Sequence, residues 1–477
     1  EYIVACPTIA PPVIGNDQMN TETSLSHKPS WGSVALAYFL GLAYWVSYFI
    51  KGSPSFTTHD WLKEQVFSNL IRESILTLQL PLRMSVDYYR PGVHELIANP
   101  EISLTPDFFL LGWVSNNTYF LIHWLLFFTV GFIGTAMLAR KCALTSLSFL
   151  FLAILFNCNG FIGAHIAEGH IQWAGYFLLP FFFYWLSDLG DDNHQTRYKG
   201  ALKLSLVLGT MFMNGSLHIA IWCLMFAAIP LTYRWDLARG IGLTIGLSAL
   251  IAVARLVPAA IYYPASTEFV SGYPTLTTLL DAFTFVYSPG NPTRGGTFGN
   301  LAWHEYDFFI GYIGLAFLAV GAWYYIKNKI AAVPVWWIPA AVVMFLFSLG
   351  DVYQLIPNSG IPFTTIERVG SRFFVMPFMV WLLVAAIGIS CLQGHYTRFS
   401  KIALAVSFVP MLGEIFQHAR KWRIQSYEFA MGTNDIPTVV LVESIDVWLP
   451  RIIAFSWSIS LLAIFAAALW LLKHRSK

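Results

Sequence analysis

Apolar runs recur along the whole chain at about the length a helix needs to cross a bilayer, roughly 20 residues. The first is Trp31–Ile50, bracketed by Lys28 and Lys51. Further runs lie at about 118–138, 143–158, 172–187, 201–214, 217–233, 240–262, 307–326, 332–349, 372–391, 401–416 and 452–472. Several fall short of about 17 residues, which predicts tilted, broken or partly inserted segments. The pattern predicts an all-α polytopic membrane bundle of about 10–13 transmembrane helices. Residues 1–30 are polar and rich in Pro, Thr and Ser, and are expected to be a disordered cytoplasmic segment, with Met19 as an alternative start. The membrane domain then covers 31–472 and a short cytoplasmic tail covers 473–477.

The longest polar interruption is the first loop, 51–116. Within it, Asp60–Leu80 places Trp61, Val66, Phe67, Leu70, Ile71, Ile75, Leu76 and Leu78 at helical spacing. Lys63, Glu64, Gln65, Asn69, Arg72 and Glu73 fall between them. That predicts a helix lying in the membrane interface with one wet face. Pro81 and Pro91 then break the chain.

Composition supports the membrane class: the 477 residues are 56% hydrophobic and 11% charged, about half the charge of a soluble domain. The net charge of +2 is uninformative, but the placement of the positives is not. With a cytoplasmic amino terminus, the short inner loops carry Arg140-Lys141, Arg197–Lys199, Arg234–Arg239, Lys327–Lys329, Arg398–Lys401 and the tail Lys473–Lys477. All are basic, as the positive-inside rule requires. Both termini are therefore expected in the cytoplasm. Loops 51–117, 263–306, 350–371 and 417–451 are expected outside. No basic cluster sits on a soluble element, so no nucleic-acid partner is expected. The five cysteines show no metal-ligand spacing.

Titratable groups gather on that outer side, near span ends, which points to a site there. Asp60, in His59-Asp60-Trp61, stands where the first span leaves the bilayer. It suits a general base, since partial desolvation raises basicity; it equally suits an N-cap for a helix beginning at Trp61. In Ile162–Trp173, His165, Glu168 and Gln172 are spaced to share a helical face, with His170 pointing elsewhere. Such a set can bind a sugar hydroxyl or a cation, or can satisfy free backbone groups in a re-entrant turn. His218, in Asn214-Gly215-Ser216-Leu217-His218, reads as a helix-start residue or a ligand. His304, Glu305 and Asp307 precede a span and could hold a metal, orient a hydroxyl, or complement a helix start. Arg368 and Arg372, opening another span, form a candidate phosphate clamp.

This arrangement resembles the GT-C glycosyltransferases, membrane enzymes that take sugars from polyprenyl-phosphate carriers. The shared features are a first span, a long outer loop with an acid directly after that span, interfacial helices and many further spans. Within that group it is most similar to the bacterial YfhO-like branch, through Gly169-His170-Ile171-Gln172, Gly215-Ser216-Leu217-His218, Glu305 before Tyr312-Ile313-Gly314-Leu315, and Arg368–Arg372. The resemblance covers roughly 30–390. It implies a bacterial inner-membrane glycosyltransferase acting at the extracytoplasmic face on a polyprenyl-phosphate-linked sugar. Asp60 would be the base, and His59, Glu168, His170, Gln172, His218, His304, Glu305, Arg368 and Arg372 would bind substrate. A divalent cation, Mg or Mn, would be held by Asp60 and Glu305. The familiar Asp-Asp or Glu-x-Asp pair is absent, and about 35 outer residues precede the last span. Two alternatives therefore stand beside it: an inactive GT-C-like scaffold with membrane-protein partners, or a lipid or solute transporter. Mid-span charges are few, Arg255 being the clearest, and this disfavours the transporter.

Overall fold

The computed structural model describes residues 28–50, 55–88, 92–263, 272–287, 289, 301–355, 367–395 and 398–474. The amino-terminal segment to residue 27, with Met19, and the tail from residue 475 lie outside them, as do parts of the loops at 51–117, 263–306 and 350–371.

Helices dominate the described residues. In order they are α1 (Trp31–Ile50), α2 (Asp60–Thr77), α3 (Asn116–Lys141), α4 (Ser146–Asn157), α5 (Gly160–Glu168), α6 (Leu179–Leu186), α7 (His194–Met213), α8 (Leu217–Ala228) and α9 (Ala238–Ile251). Then follow α10 (Val253–Tyr262), α11 (Leu276–Thr284), α12 (Gly311–Lys327), α13 (Trp337–Ser348), α14 (Gly350–Gln354), α15 (Val375–His395), α16 (Arg398–Trp422), α17 (Ile424–Met431) and α18 (Trp448–Lys473). Two short strands, β1 (Arg83–Met84) and β2 (Leu441–Val442), pair antiparallel, Arg83 opposite Val442. They tie the loop at 51–117 to the segment before α18.

Local chemistry sets the helix starts. Ser115, Thr145, Asn159, Asn193 and Thr275 each accept a backbone N–H of the first turn of α3, α4, α5, α7 and α11, the N-cap role these residue types favour. Among the described residues six helices are long and apolar enough to cross a membrane: Trp31–Phe49, Asn116–Lys141, Ser146–Glu168, Gly370–Gln393, Lys401–Trp422 and Trp448–Lys473. The pair α9–α10, bent by 74°, makes a seventh if counted as one broken span. This is an all-α polytopic membrane protein. Fewer helices reach this length than the 10–13 expected, because short runs such as 172–187 break: that one is a 3-10 stretch, Ile171–Leu178, followed by α6.

The break between α9 and α10 shows how the bundle pays for irregular backbone. Ala254 N–H is satisfied by Ser460 Oγ of α18 at 3.0 Å. Arg255, buried, donates to the carbonyls of Asn99 and Ile102. The mid-span arginine is thus a clamp on the loop at 51–117.

The basic loops around Lys141, Arg197 and Arg234 lie together. Lys141 bonds Asp188 at 2.5 Å, Arg197 donates to the Asp236 carbonyl at 3.0 Å, and the Tyr233 hydroxyl donates to the Trp336 carbonyl at 2.6 Å. The loop at 51–117, the 160–172 segment and the starts of α8 and α15 meet elsewhere, around Asp60.

Helix α2 departs from expectation. Lys63, Glu64 and Gln65, assigned to its wet face, are buried beside Trp61, Val66, Phe67 and Leu70. Their side chains have partners inside the fold: Gln65 bonds Asn117 at 2.7 Å and Asn116 at 2.8 Å.

Candidate functional site

The site begins with two strained residues. Phe56 and His59 take positive φ, 50° and 52°, which costs a non-glycine residue about 1–3 kcal/mol and concentrates at functional sites. The turn at His59 starts α2 at Asp60 itself, and no side chain caps the helix. Asp60 is therefore not an N-cap; its carboxylate is released to partners outside its own helix.

Those partners form a chain of carboxylates and imidazoles that alternate except where His170 meets His165. His170 Nε2 is 3.3 Å from Asp60 Oδ2, and His170 Nδ1 is 2.8 Å from His165 Nδ1. On the other side, His59 Nδ1 is 3.4 Å from Asp60 Oδ1 and 2.8 Å from Glu168 Oε2. Glu168 Oε1 lies 2.6 Å from His304 Nδ1, and His304 Nε2 lies 3.4 Å from Glu305 Oε1. Glu305 Oε2 approaches His165 Nε2 at 4.0 Å, which closes a ring. At His304 Nδ1 the N–H is poorly aimed, so that contact is an ion pair more than a directed hydrogen bond. The His59 side chain is 48% exposed and Asp60 13%, while Glu168 is 2%. The ring thus reaches solvent at His59.

Arg372 extends the network. Its guanidinium grips Glu305 with two bonds, Nε to Oε2 at 2.7 Å and Nη2 to Oε1 at 2.5 Å. It also reaches Glu367 Oε1 at 3.4 Å and lies over the Trp173 ring at 5.0 Å. Glu367 accepts from Trp222 Nε1 at 3.0 Å and is 2.8 Å from His218 Nδ1.

The expected grouping changes in four places. Gln172 does not share a face with Glu168, because α5 ends at Gly169 (φ 103°) and the chain turns back. That turn brings in His170 instead. Glu305 and Asp307 face different partners: Asp307 Oδ2 is 2.8 Å from His418 Nε2, apart from Arg372. Arg368 is exposed and has no partner among the described residues, whereas Arg372 is buried; the two do not form one clamp. Residues given no role from the sequence also enter. Lys63 donates to Asp60 Oδ2 at 3.0 Å and to Glu101 Oε2 at 2.7 Å. The three-residue spacing of Asp60 and Lys63 on a helix was a usable signal; Glu101 had none.

The surroundings oppose the expected rise in Asp60 basicity. Burial pushes its pKa up, but Lys63, His170 and His59 outweigh this and hold it well below the usual range. For His304, burial disfavours the charge, yet Glu168 and Glu305 raise its pKa to about 10. Glu168 raises His59 as well, against burial. Burial lowers His170, overcoming its contact with Asp60. Burial opposes the Glu305 anion, and Arg372 and His304 more than restore it.

Asp60 and Glu305 do not fit a shared cation as they stand. Asp60 Oδ2 holds the Lys63 ammonium and both Glu305 oxygens hold Arg372. Among the described residues no group of three or more His, Cys, Asp or Glu is disposed to bind a metal. No family model matches the chain, and no curated protein matches its sequence.

Proposed function

We propose that the chain is a bacterial inner-membrane glycosyltransferase that moves a sugar from a polyprenyl-phosphate carrier to an acceptor hydroxyl at the extracytoplasmic face, with both termini cytoplasmic. The observation that carries the reading is the ring through Asp60, assembled from three separate outer segments and open to solvent at His59. Buried carboxylates and imidazoles in such number are costly unless a site requires them.

In this reading the acceptor oxygen bonds to the anomeric carbon as the carbon–phosphate oxygen bond breaks. The hydroxyl proton passes to Asp60 and the carrier phosphate leaves with the electron pair. Asp60, held ionised by Lys63 and His170, is always in its accepting form at neutral pH. Its low basicity suffices because the hydroxyl turns acidic as its new bond forms. Arg372 would hold the phosphate with the same two-bond geometry it gives Glu305, the phosphate displacing that carboxylate. Trp173, His218 and His304 surround this point and suit a sugar face and its hydroxyls. No step is assigned to a metal.

A second reading, a scaffold subunit without activity, is favoured by one fact: Arg372 is already satisfied by two glutamates. Turnover of a lipid-linked sugar by well-folded Asp60→Asn protein separates the two. General-base loss should lower the rate by ~10²–10⁴. Undiminished turnover removes Asp60 from the chemistry, and wild-type protein inert towards every donor favours the scaffold.

A further inference from the structure

The turn that sets the ring is held by a distant part of the chain. Residues 55–59 carry the two positive φ values, at Phe56 and His59, and the segment from α17 to Asn434 grips them. Glu428 of α17 takes three donors from the turn. The Ser55 N–H reaches Oε2 at 3.1 Å, and the Phe56 N–H and Ser55 hydroxyl reach Oε1 at 2.6 Å and 2.8 Å. The Thr58 hydroxyl donates to the Gly432 carbonyl at 2.5 Å, and the Asn434 N–H donates to the Thr57 carbonyl at 3.3 Å. Four consecutive residues, Ser55 to Thr58, are thus tied to one short segment.

Glu428 is buried, and no basic side chain pairs with it among the described residues. A carboxylate out of water needs strong donors, and here the turn supplies them, so anion and turn hold each other. The donors lie before α2, which starts at Asp60, so capping of that helix does not explain them. The preceding residue, Tyr427, is buried beside Glu168. Helix α17 therefore touches both partners of the 2.8 Å contact between His59 and Glu168. Glu428 holds the turn that carries the imidazole, and Tyr427 lies against the carboxylate. Trp422 and Ile424, fully buried, seat α17 where it can do both.

We propose that Glu428 is a positioning residue of the ring: its carboxylate holds the strained 55–59 turn so that His59 stays on Glu168, at the ring's opening to solvent. A positive φ at a non-glycine residue persists only where the surroundings over-determine it. Without the carboxylate, Phe56 and His59 relax towards ordinary backbone, and the His59 imidazole, already half-exposed, leaves Glu168 for solvent. Helix α2 stays in place, because Trp61 is buried and its Nε1 donates to the Ala167 carbonyl at 3.1 Å. The ring then opens at His59 while the bundle around it is kept. This role holds whatever chemistry the ring performs, so failure of the transferase reading leaves it standing.

The test uses the full chain in lipid nanodiscs and reads two quantities by mass spectrometry of peptides that cover residues 55–61. One is hydrogen exchange of the Ser55 and Phe56 amides. The other is the pH profile of His59 modification by diethylpyrocarbonate, which attacks the neutral imidazole. His59 faces Glu168, Asp60 and His304, and Glu168 raises its pKa against burial. Its wild-type midpoint should therefore lie above the ~6.5 of a free histidine. In Glu428→Ala the two amides should exchange about 10-fold faster or more, as the loss of bonds to a charged group implies. The His59 midpoint should fall back towards ~6.5. Glu428→Gln keeps an oxygen for Phe56 but turns an amide group on the Ser55 N–H, and should fall between. Thr58→Val removes the bond to Gly432, should move both quantities in the same direction, and carries the test if Glu428→Ala does not fold. A merely structural Glu428 would lower the unfolding temperature and leave the His59 midpoint where it was, and that result overturns the proposal. So does unchanged exchange at Ser55 and Phe56, and so does a wild-type midpoint no higher than that of a free histidine.

Discussion

At Gly169 a β-carbon would stand 2.3 Å from the Trp61 nitrogen and 2.7 Å from the Asp60 carbonyl carbon. Backbone meets backbone there, and the positive φ of 103° adds a second demand. This one residue both ends α5 and lets Glu168 and His170 straddle Asp60. Gly169→Ala should therefore destabilise the protein by ~2 kcal/mol or more, from αL strain together with the clash. Thermal unfolding of the purified protein should show it. Gly242→Ala, in α9 with nothing within 4 Å, should be neutral or slightly stabilising. Equal shifts for the two would show that the α5–α2 contact is not tight. The strain at His59 belongs to the same scale: it turns the Asp60 carboxylate away from its own helix start.

Between elements, the start of α15 is held to the segment before α12 by Arg372 and Glu305. Ser371 Oγ also donates to the Glu305 carbonyl at 2.6 Å, so side chain and backbone lock together. Arg372→Met would leave Glu305 and Glu367 without their cation, and removing one partner of a buried pair typically costs ~3–5 kcal/mol. Glu305→Gln in the same chain should return part of that loss. A double-mutant cycle by denaturation should give a coupling of ~0.5–3 kcal/mol; additive losses would deny that the pair acts as a unit. Arg372→Lys keeps the charge but not the two-bond grip, and should fall between.

For the whole molecule, the network predicts a stability that declines on the alkaline side. The His304 pKa is raised in the fold to about 10. Its contribution is complete below its unfolded pKa of ~6.5 and is lost as pH rises through the folded value. Glu64 acts in the same direction: the fold favours its neutral form, so stability falls from its unfolded pKa of ~4.3 up to its folded value, about 8. Asp60, with a lowered pKa, adds stability above its unfolded value that is lost only in acid. Unfolding temperature should thus drop from neutral pH towards about 10, with a shallower slope in His304→Gln and in Glu64→Gln. An unchanged slope in both variants would show that neither group is perturbed as the geometry requires.

The all-helical membrane class, the first span and the acid directly after the span were all legible in the sequence. Each follows from composition, or from spacing within a few residues, where local physics decides. The ring was not legible. Its members are separated by up to about 250 residues, and what joins them is a helix end at Gly169, a strained turn at His59 and the burial of a helix face that looked wet. Lys63 and Glu64 read as solvated charges because periodicity cannot say what packs opposite a helix. Arg368 and Arg372 looked equivalent four residues apart, yet a 3-10 turn over Gly370–Phe374 exposes one and buries the other. A sequence specifies which groups are present and how they repeat along a helix. Which charges lose their water depends on the neighbours that tertiary packing supplies, and here that desolvation sets every pairing in the site.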